Sequence, residues 1–209
     1  MIEYPSILNS SKAPREHCVA FDKLDGSNIR VKWTKKKGFD LFGSRTMLID
    51  KGHPYLGDVV PIFFDYFAEP LEKIFVDKWP NLREIVVFGE YFGENSFAGW
   101  HKLDEPHKFV LFDVMLGHKN KEFVKPLEFI KTFLDKVEIP RLIHIGNLTD
   151  QFIEDVRANK YNTKEGVVCK GTANTGAHRG KMWMCKIKTQ EYFDKLKKRF
   201  GNDWKKYGE

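Results

Sequence analysis

Residues 22–28 read DKLDGSN, which places Lys23 between Asp22 and Asp25 and ahead of Gly26, Ser27 and Asn28. A lysine attacks an electrophile through its neutral amine. With a reference pKa of ~10.4, only about one lysine in a thousand is neutral near neutral pH, and two adjacent carboxylates raise the pKa further. A reactive Lys23 therefore needs positive charge brought to it, from a divalent metal or from other lysines. Without such help the same residues make a turn, with Asp25-Gly26 as the turn pair and the two aspartates neutralising a surface lysine.

The chain offers both kinds of help. In MCKIK, Lys186 and Lys188 stand two apart in a strand-like run, a spacing that puts both ammonium groups on one face. Such a pair can bind phosphate and depress a neighbouring lysine's pKa; it can equally protect an edge strand. KEGVVCKG sets Glu165 and Lys170 around an apolar strand, and a carboxylate of this kind suits Mg²⁺, which is held through one or two acids plus waters and substrate phosphates. Glu90 in VVFGEYFG is a carboxylate in a run that is apolar on both faces, a position that calls for a partner such as a ribose diol or an arginine. Phe112-Asp113 in FVLFDVM has the same character, and Phe112 suits either a purine or a core.

The elements that must position these residues are legible from periodicity. CVAFD (18–22), SNIRVKW (27–33) and FDLFGS (39–44) read as strands of an antiparallel meander, with Lys23 at a strand end and TKKKG as a turn. From Tyr55 to Trp79 apolar residues recur at helical intervals, with a break or restart at Pro70. REIVVFGEYFG, KFVLFDVML, EGVVCKG and KMWMCKIK read as strands. KPLEFIKTFLDKV and LTDQFIEDVRANK read as helices, with Pro126 in a first turn and Thr149 as an N-cap. The final segment is amphipathic helix interrupted at Gly201. The class is α+β with a largely antiparallel core.

With 209 residues the chain can bury a substantial core, and a net charge of +6 mildly favours a polyanionic partner. Three cysteines at no metal-ligand spacing suggest reduced thiols. The first residues lack an apolar signal core and no long apolar run occurs, so a soluble, intracellular (cytoplasmic) protein with no membrane partner is expected. Lys35, Lys36 and Lys37 form a basic loop tip. Lys197, Lys198 and Arg199 crowd the last helix, with Lys205, Trp204 and Tyr207 beyond; these are candidate phosphate-backbone contacts.

Taken in order, DKLDGSN, GSRT, VVFGEYFG, KFVLFDVM, KEGVVCKG and MCKIKT resemble the six motifs of the covalent nucleotidyltransferases: ATP-dependent RNA and DNA ligases and mRNA-capping guanylyltransferases. The likeness spans about residues 18 to 190 and is nearest the RNA ligase 2 branch, which similarly carries a GEN…H segment, here GENSFAGWH, and an aromatic-rich helix after KIKT. The resemblance implies the nucleotidyltransferase (ATP-grasp-like ligase) fold, two largely antiparallel sheets flanked by helices with the nucleotide cleft between them. It implies an adenylyltransferase domain over residues 1–190, with 191–209 as a basic helical extension of that domain.

The activity implied is ATP-dependent joining of 3′-OH and 5′-phosphate polynucleotide ends through lysyl-AMP and polynucleotide-adenylate intermediates, with RNA preferred. A compact DNA ligase for nicked duplex is the alternative; a capping guanylyltransferase or a non-catalytic binding module stands behind it. Carried over by motif, Lys23 is the nucleophile, and Lys186 and Lys188 act with it on the α-phosphate. Asp25, Gly26, Asn28, Arg45, Glu90, Phe112, Val168 and Lys170 bind the nucleotide, Glu90 at the ribose and Phe112 and Val168 against the adenine. Glu165, with Asp113, positions Mg²⁺ or Mn²⁺ and its waters. RNA or DNA strand ends, in duplex or splinted form, are the expected partners of a monomer; for the further C-terminal domain of RNA ligase 2 relatives, either the short C-terminal helix is enough or a partner protein supplies the rest.

Overall fold

The alternation read at residues 27–33 and 39–44 is a hairpin in the computed structural model, which describes residues 1–117, 121–173 and 180–208. The chain divides into two compact units, one of Met1–Pro5 with Gly26–Ile139, the other of Ser6–Asp25 with everything from Pro140 onward. Among the described residues no helix is long and apolar enough to cross a membrane.

The first unit holds the hairpin, β3 (Ser27–Thr34) and β4 (Gly38–Gly43), within a six-stranded antiparallel sheet. Its order is β5 (Leu48–Ile49), β4, β3, β6 (Glu84–Gly93), β7 (His107–Leu116) and β8 (Glu122–Phe123). The helical run seen from the sequence is α1 (Val59–Phe63), one π-helical stretch (Phe64–Ala68) and α2 (Glu69–Lys78). The break expected at Pro70 is not found: the backbone stays helical through it, and the π-helical stretch immediately before it accommodates the residue that cannot donate to the preceding turn. The helices cover one sheet face with aromatic rings: Phe75 lies 5.6 Å from Trp33, and Phe63 lies 5.4 Å from Phe109. Since strand side chains alternate, Ile29, Val31 and Trp33 lie under the helices, and Asn28, Arg30 and Lys32 belong to the other face. α3 (Pro126–Phe133) completes this unit, with Pro126 in its first turn as expected.

The second unit carries a five-stranded sheet in the order β1 (Leu8–Asn9), β11 (Met182–Lys188), β10 (Gly166–Thr172), β2 (His17–Lys23), β9 (Leu142–Asn147). β1 runs parallel to β11 and the other pairs are antiparallel. One face is closed by α4 (Asp150–Arg157), whose Phe152, Ile153 and Val156 pack on Cys18, Ala20, Val167, Cys169, Cys185 and Ile187. The three cysteines are thus free thiols in a buried apolar layer. Thr149 caps α4 as expected, its hydroxyl accepting from the Phe152 N–H at 3.1 Å. α5 (Gln190–Phe200), a 3₁₀ turn (Gly201–Asp203) and α6 (Lys205–Gly208) follow β11, so the chain does turn out of helix at Gly201.

One expectation is corrected. The meander of three strands is really a hairpin plus a stranger: β2 pairs with β10 and β9, and β3 pairs with β4 and β6, in different sheets. Alternation fixes the faces of a strand but not its neighbours. Gly26, between β2 and β3, lies so close to β6 that a Cβ there would stand 2.3 Å from the Tyr91 carbonyl oxygen. The glycine of DKLDG is therefore a packing requirement.

Candidate active site

Lys23 is the last residue of β2, as the sequence reading placed it. Its Cα is in register with Gly166 on β10, and Gly166 is in register with Lys188 on β11. Three rows therefore cross the face of the sheet turned away from α4: Lys23, Gly166, Lys188; then Phe21, Val168, Lys186; then Val19, Lys170, Met184. Four lysines from three strands share one face because strand alternation repeats every two residues.

The middle position of the first row has to be glycine. Gly166 has φ +149°, and a Cβ there would lie 2.0 Å from the Ile187 carbonyl oxygen. The neighbouring Glu165 reaches both lysines. Lys23 Nζ donates to its Oε2 at 2.7 Å, and Lys188 Nζ lies 3.0 Å from its Oε1. Glu165 is only 2% exposed and Lys188 only 7%, so this bridge is desolvated. Burial is the largest influence on Lys188 and pulls its ammonium below the ordinary value; Lys23 acts in the same direction, while Glu165 and Asp25 oppose it. Lys188 also lies 5.0 Å from the Tyr192 ring centre and donates to the Tyr207 carbonyl at 3.4 Å, so α5 and α6 hold it from the other side. Thr189 locks that arrangement, its N–H donating to the Glu165 carbonyl and its hydroxyl capping α5 at Tyr192. Lys170 is 3% exposed and lies 5.3 Å from the Phe21 ring centre.

Asp22 does not act as the sequence alternative supposed. As the residue before Lys23 it faces the opposite side of the strand, where Arg141 donates to its Oδ2 at 3.2 Å and to the carbonyls of Tyr161 and Asn162 at 2.9 Å each. Burial raises the Asp22 carboxyl, against Arg141. The plain surface turn, with both aspartates neutralising Lys23, is therefore not the arrangement found.

The first unit gathers a second set of candidates. Asn28 on β3 is in register with Glu90 on β6, on the face away from the helices. Asn28 Oδ1 and Arg30 Nε are buried with no hydrogen-bond partner among the described residues. Orphaned polar atoms of this kind are costly unless a ligand or water meets them. On β7, Phe112 is half-buried, its ring 5.1 Å from Tyr4 and edge-on to it. Tyr4 donates its hydroxyl to Asp113 Oδ2, and Asp113 is 1% exposed. Burial, with Asp113 adding to it, raises the Tyr4 hydroxyl well above its ordinary value.

The remaining candidates lie apart. Arg45 is exposed in the loop after β4. Lys35, Lys36 and Lys37 follow the far end of β3, about 20 Å of strand from Asn28, and Lys35 donates to the Pro80 carbonyl at 2.9 Å. Lys197, Lys198 and Arg199 are exposed on the last turn of α5.

Three contributors escaped the sequence reading. Tyr4 gave no periodic signal. Arg30 did, as a charge inside an apolar strand. His101 stands in GENSFAGWH, and its Nε2 is 2.7 Å from the Ser27 hydroxyl and its Nδ1 3.1 Å from that of Ser96. The ring tethers the loop after β6 to the start of β3, and burial, with His107 nearby, lowers its pKa.

Among the described residues no three His, Cys, Asp or Glu side chains group as a metal cage. Of the two proposed metal-side acids, Asp113 is committed to Tyr4. Glu165 fits a hydrated Mg²⁺ only in the sense of one carboxylate that supplements waters and substrate phosphates.

A lysine at a strand end, bridged by a buried acid to a lysine two strands away, on one of two antiparallel-rich sheets flanked by helices, defines the nucleotidyltransferase fold. The chain belongs to the RNA ligase family, whose model matches residues 16–187. No curated protein matches its sequence significantly. Among solved structures it is similar to an archaeal ATP-dependent RNA ligase, with a TM-score of 0.67 at 16% identity, covering 96% of this chain and 52% of that one. It is also similar to a Naegleria gruberi RNA ligase with pyrophosphate, with a TM-score of 0.65 at 19% identity over 95% of this chain and 59% of that one. A variant of that ligase with ATP and manganese gives 0.60 at 18%, over 88% and 53%. The chain thus spans between half and three fifths of the length of these relatives.

Proposed function

We propose that the protein is an ATP-dependent polynucleotide ligase, RNA joining preferred, that works through a lysyl-AMP intermediate on Lys23. The observation that carries this reading is the Lys23–Glu165–Lys188 bridge, since simple nucleotide binding would not require a nucleophilic lysine held against a buried carboxylate. Glu165 Oε2, 2.7 Å from Lys23 Nζ, can take the ammonium proton as the amine attacks the ATP α-phosphorus. The N–P bond forms, the bond from the α-phosphorus to the β-bridging oxygen breaks, and pyrophosphate leaves. Lys186, Lys188 and Lys170 supply fixed positive charge where negative charge builds on the α-phosphate. A divalent ion, when bound, neutralises phosphate charge beside Glu165.

In this reading Glu90 holds the ribose, Phe112 and Val168 face the adenine, and Asn28, Arg45, Asp25 and Gly26 shape the nucleotide site. Asp113 supports Phe112 through Tyr4. AMP then passes to a polynucleotide 5′-phosphate with cleavage of the N–P bond, and a 3′-OH displaces AMP to seal the strand. Residues 1–190 act as the adenylyltransferase domain and 191–209 extend it, which the contact of Lys188 with Tyr207 supports.

Incubation with α-labelled ATP and Mg²⁺ followed by denaturation tests the covalent step. Label retained by the wild type and lost in Lys23→Ala is expected; no label on the wild type sinks the reading. Labelling by GTP in place of ATP returns the capping alternative, and a preference for DNA over RNA 3′-OH strands on one splint returns the DNA ligase.

A further inference from the structure

At the edge of the second unit's sheet lies a pocket of about 370 Å³, bounded by β1 and the turn after it, by β11, by the end of α4 and by α5 and α6. Its wall carries four cations, Arg157, Lys186, Lys188 and Lys205, beside the rings of Phe193 and Trp204, and no lining residue is acidic. Among the described residues neither Arg157 nor Lys205 has an ion pair or a side-chain hydrogen bond, while the α4 terminus is closed by the Ala158 N–H on the carbonyls of Glu154 and Val156. The place of Arg157 in the last turn of α4 suits the helix dipole, but no carboxylate or carbonyl holds its guanidinium among the described residues. Lys188 is paired with Glu165, whereas Arg157 and Lys205 stand exposed at the pocket with no acid of their own, and a guanidinium beside ammonium groups matches phosphate oxygens in number and geometry.

We infer that this pocket is a phosphate subsite adjoining the lysine face that meets the α-phosphate and sharing Lys186 and Lys188 with it, in which Arg157 and Lys205 grip a terminal phosphate and Trp204 forms the apolar wall. The inference rests on the ligase reading. Two ligands of that reaction carry the required chemistry: the 5′-phosphate of the strand to be joined, and the diphosphate that leaves ATP. The pocket's volume suits either, being on the scale of small-ligand sites.

Binding measurements separate the two and need no turnover. Full-length wild type and an Arg157→Gln/Lys205→Gln double variant are titrated with a short single-stranded RNA bearing either a 5′-phosphate or a 5′-hydroxyl, by fluorescence anisotropy, and with inorganic pyrophosphate, by calorimetry. Wild type should prefer the phosphorylated RNA, bind pyrophosphate, or do both, by about tenfold relative to the double variant, as expected for one or two charge-assisted hydrogen bonds. Loss of the 5′-phosphate preference alone identifies the strand end as the ligand; loss of pyrophosphate binding alone identifies the leaving diphosphate; loss of both marks a shared site. Arg157→Lys should restore part of the effect. If the double variant matches wild type in both titrations, or wild type shows neither preference, the subsite is refuted. Failure of the α-labelled ATP experiment would instead refute the ligase reading and leave these titrations unaffected.

Discussion

The buried bridge makes a quantitative demand on Glu165. Replacing it by glutamine keeps the shape and removes the charge that two ammonium groups share, one of them almost wholly desolvated. Breaking a buried ion pair by neutralising one partner typically costs about 3–5 kcal/mol. The two lysines left behind, roughly 5 Å apart, repel by about 3 kcal/mol at an effective dielectric of ~20, so a loss of about 3 kcal/mol is expected for Glu165→Gln. Lys188→Met should cost far less, about 1 kcal/mol or below, because Glu165 keeps Lys23 and an unfavourably buried ammonium disappears. In the double variant Lys23, whose side chain is 22% exposed, can rehydrate, and the coupling of the two changes should reach about 2 kcal/mol. Urea denaturation of the four proteins, compared at equal m-values, gives each number. A Glu165→Gln variant within about 1 kcal/mol of wild type, or additive effects in the cycle, would refute the claim that the acid is what makes the paired lysines tolerable. Lys188→Met should at the same time lose self-adenylylation while staying folded, separating the lysine's chemistry from its cost.

Three further outcomes are expected. Gly166→Ala forces a methyl group into the Ile187 carbonyl and should cost about 3 kcal/mol; a loss below about 1 kcal/mol in thermal denaturation would contradict the close-approach explanation. Tyr4→Phe removes a hydrogen bond from a buried carboxylate and should cost about 1–3 kcal/mol, with Asp113→Asn partly relieving it; unchanged stability by calorimetry would mean Asp113 is held by other groups. His101 is neutral more readily in the folded state than in the unfolded one, so its contribution is complete above the ordinary histidine pKa and declines as pH falls through that value toward the lower folded one. Stability measured across pH 5 to 8 should fall less steeply on the acid side in His101→Gln, and parallel curves would exclude the titration.

How much of this was legible in the chain depends on the range of the interaction. The strand over residues 27–34, the helix over 150–157 with its Thr149 cap, and the lysine pair 186 and 188 on one face are local periodicities, and they were readable as such. Sheet membership was not, since nothing in CVAFD distinguishes pairing with SNIRVKW from pairing with a strand more than 140 residues later. RLIHIGN was missed as a strand because β9 is an edge strand with much of its surface exposed and no clean alternation. Lys23 has the partners its chemistry demands, but sequence adjacency does not identify them: Asp22 faces Arg141, and the acid bonded to Lys23 is Glu165, 142 positions away. Tyr4 carries no signal because it works through a side-chain hydrogen bond to a distant strand, and His101, quoted only as the end of GENSFAGWH, takes its role from the hydroxyls of Ser27 and Ser96, the first of them on another strand.

The interleaving of the two units has a consequence for synthesis. Every segment of the first unit precedes residue 140, so its sheet can be complete while the chain is still being made. β2 cannot pair until β9 and then β10 emerge, and Lys23 meets Glu165 and Lys188 only after β11 has followed them. Between the synthesis of β2 and that of β9 the apolar run CVAF is a strand without a sheet, the kind of segment that chaperones shield and that aggregates when they do not. The nucleophile of the proposed reaction is thus made well before the acid and the lysine that surround it, so its site is assembled only after the first unit's sheet has been synthesised.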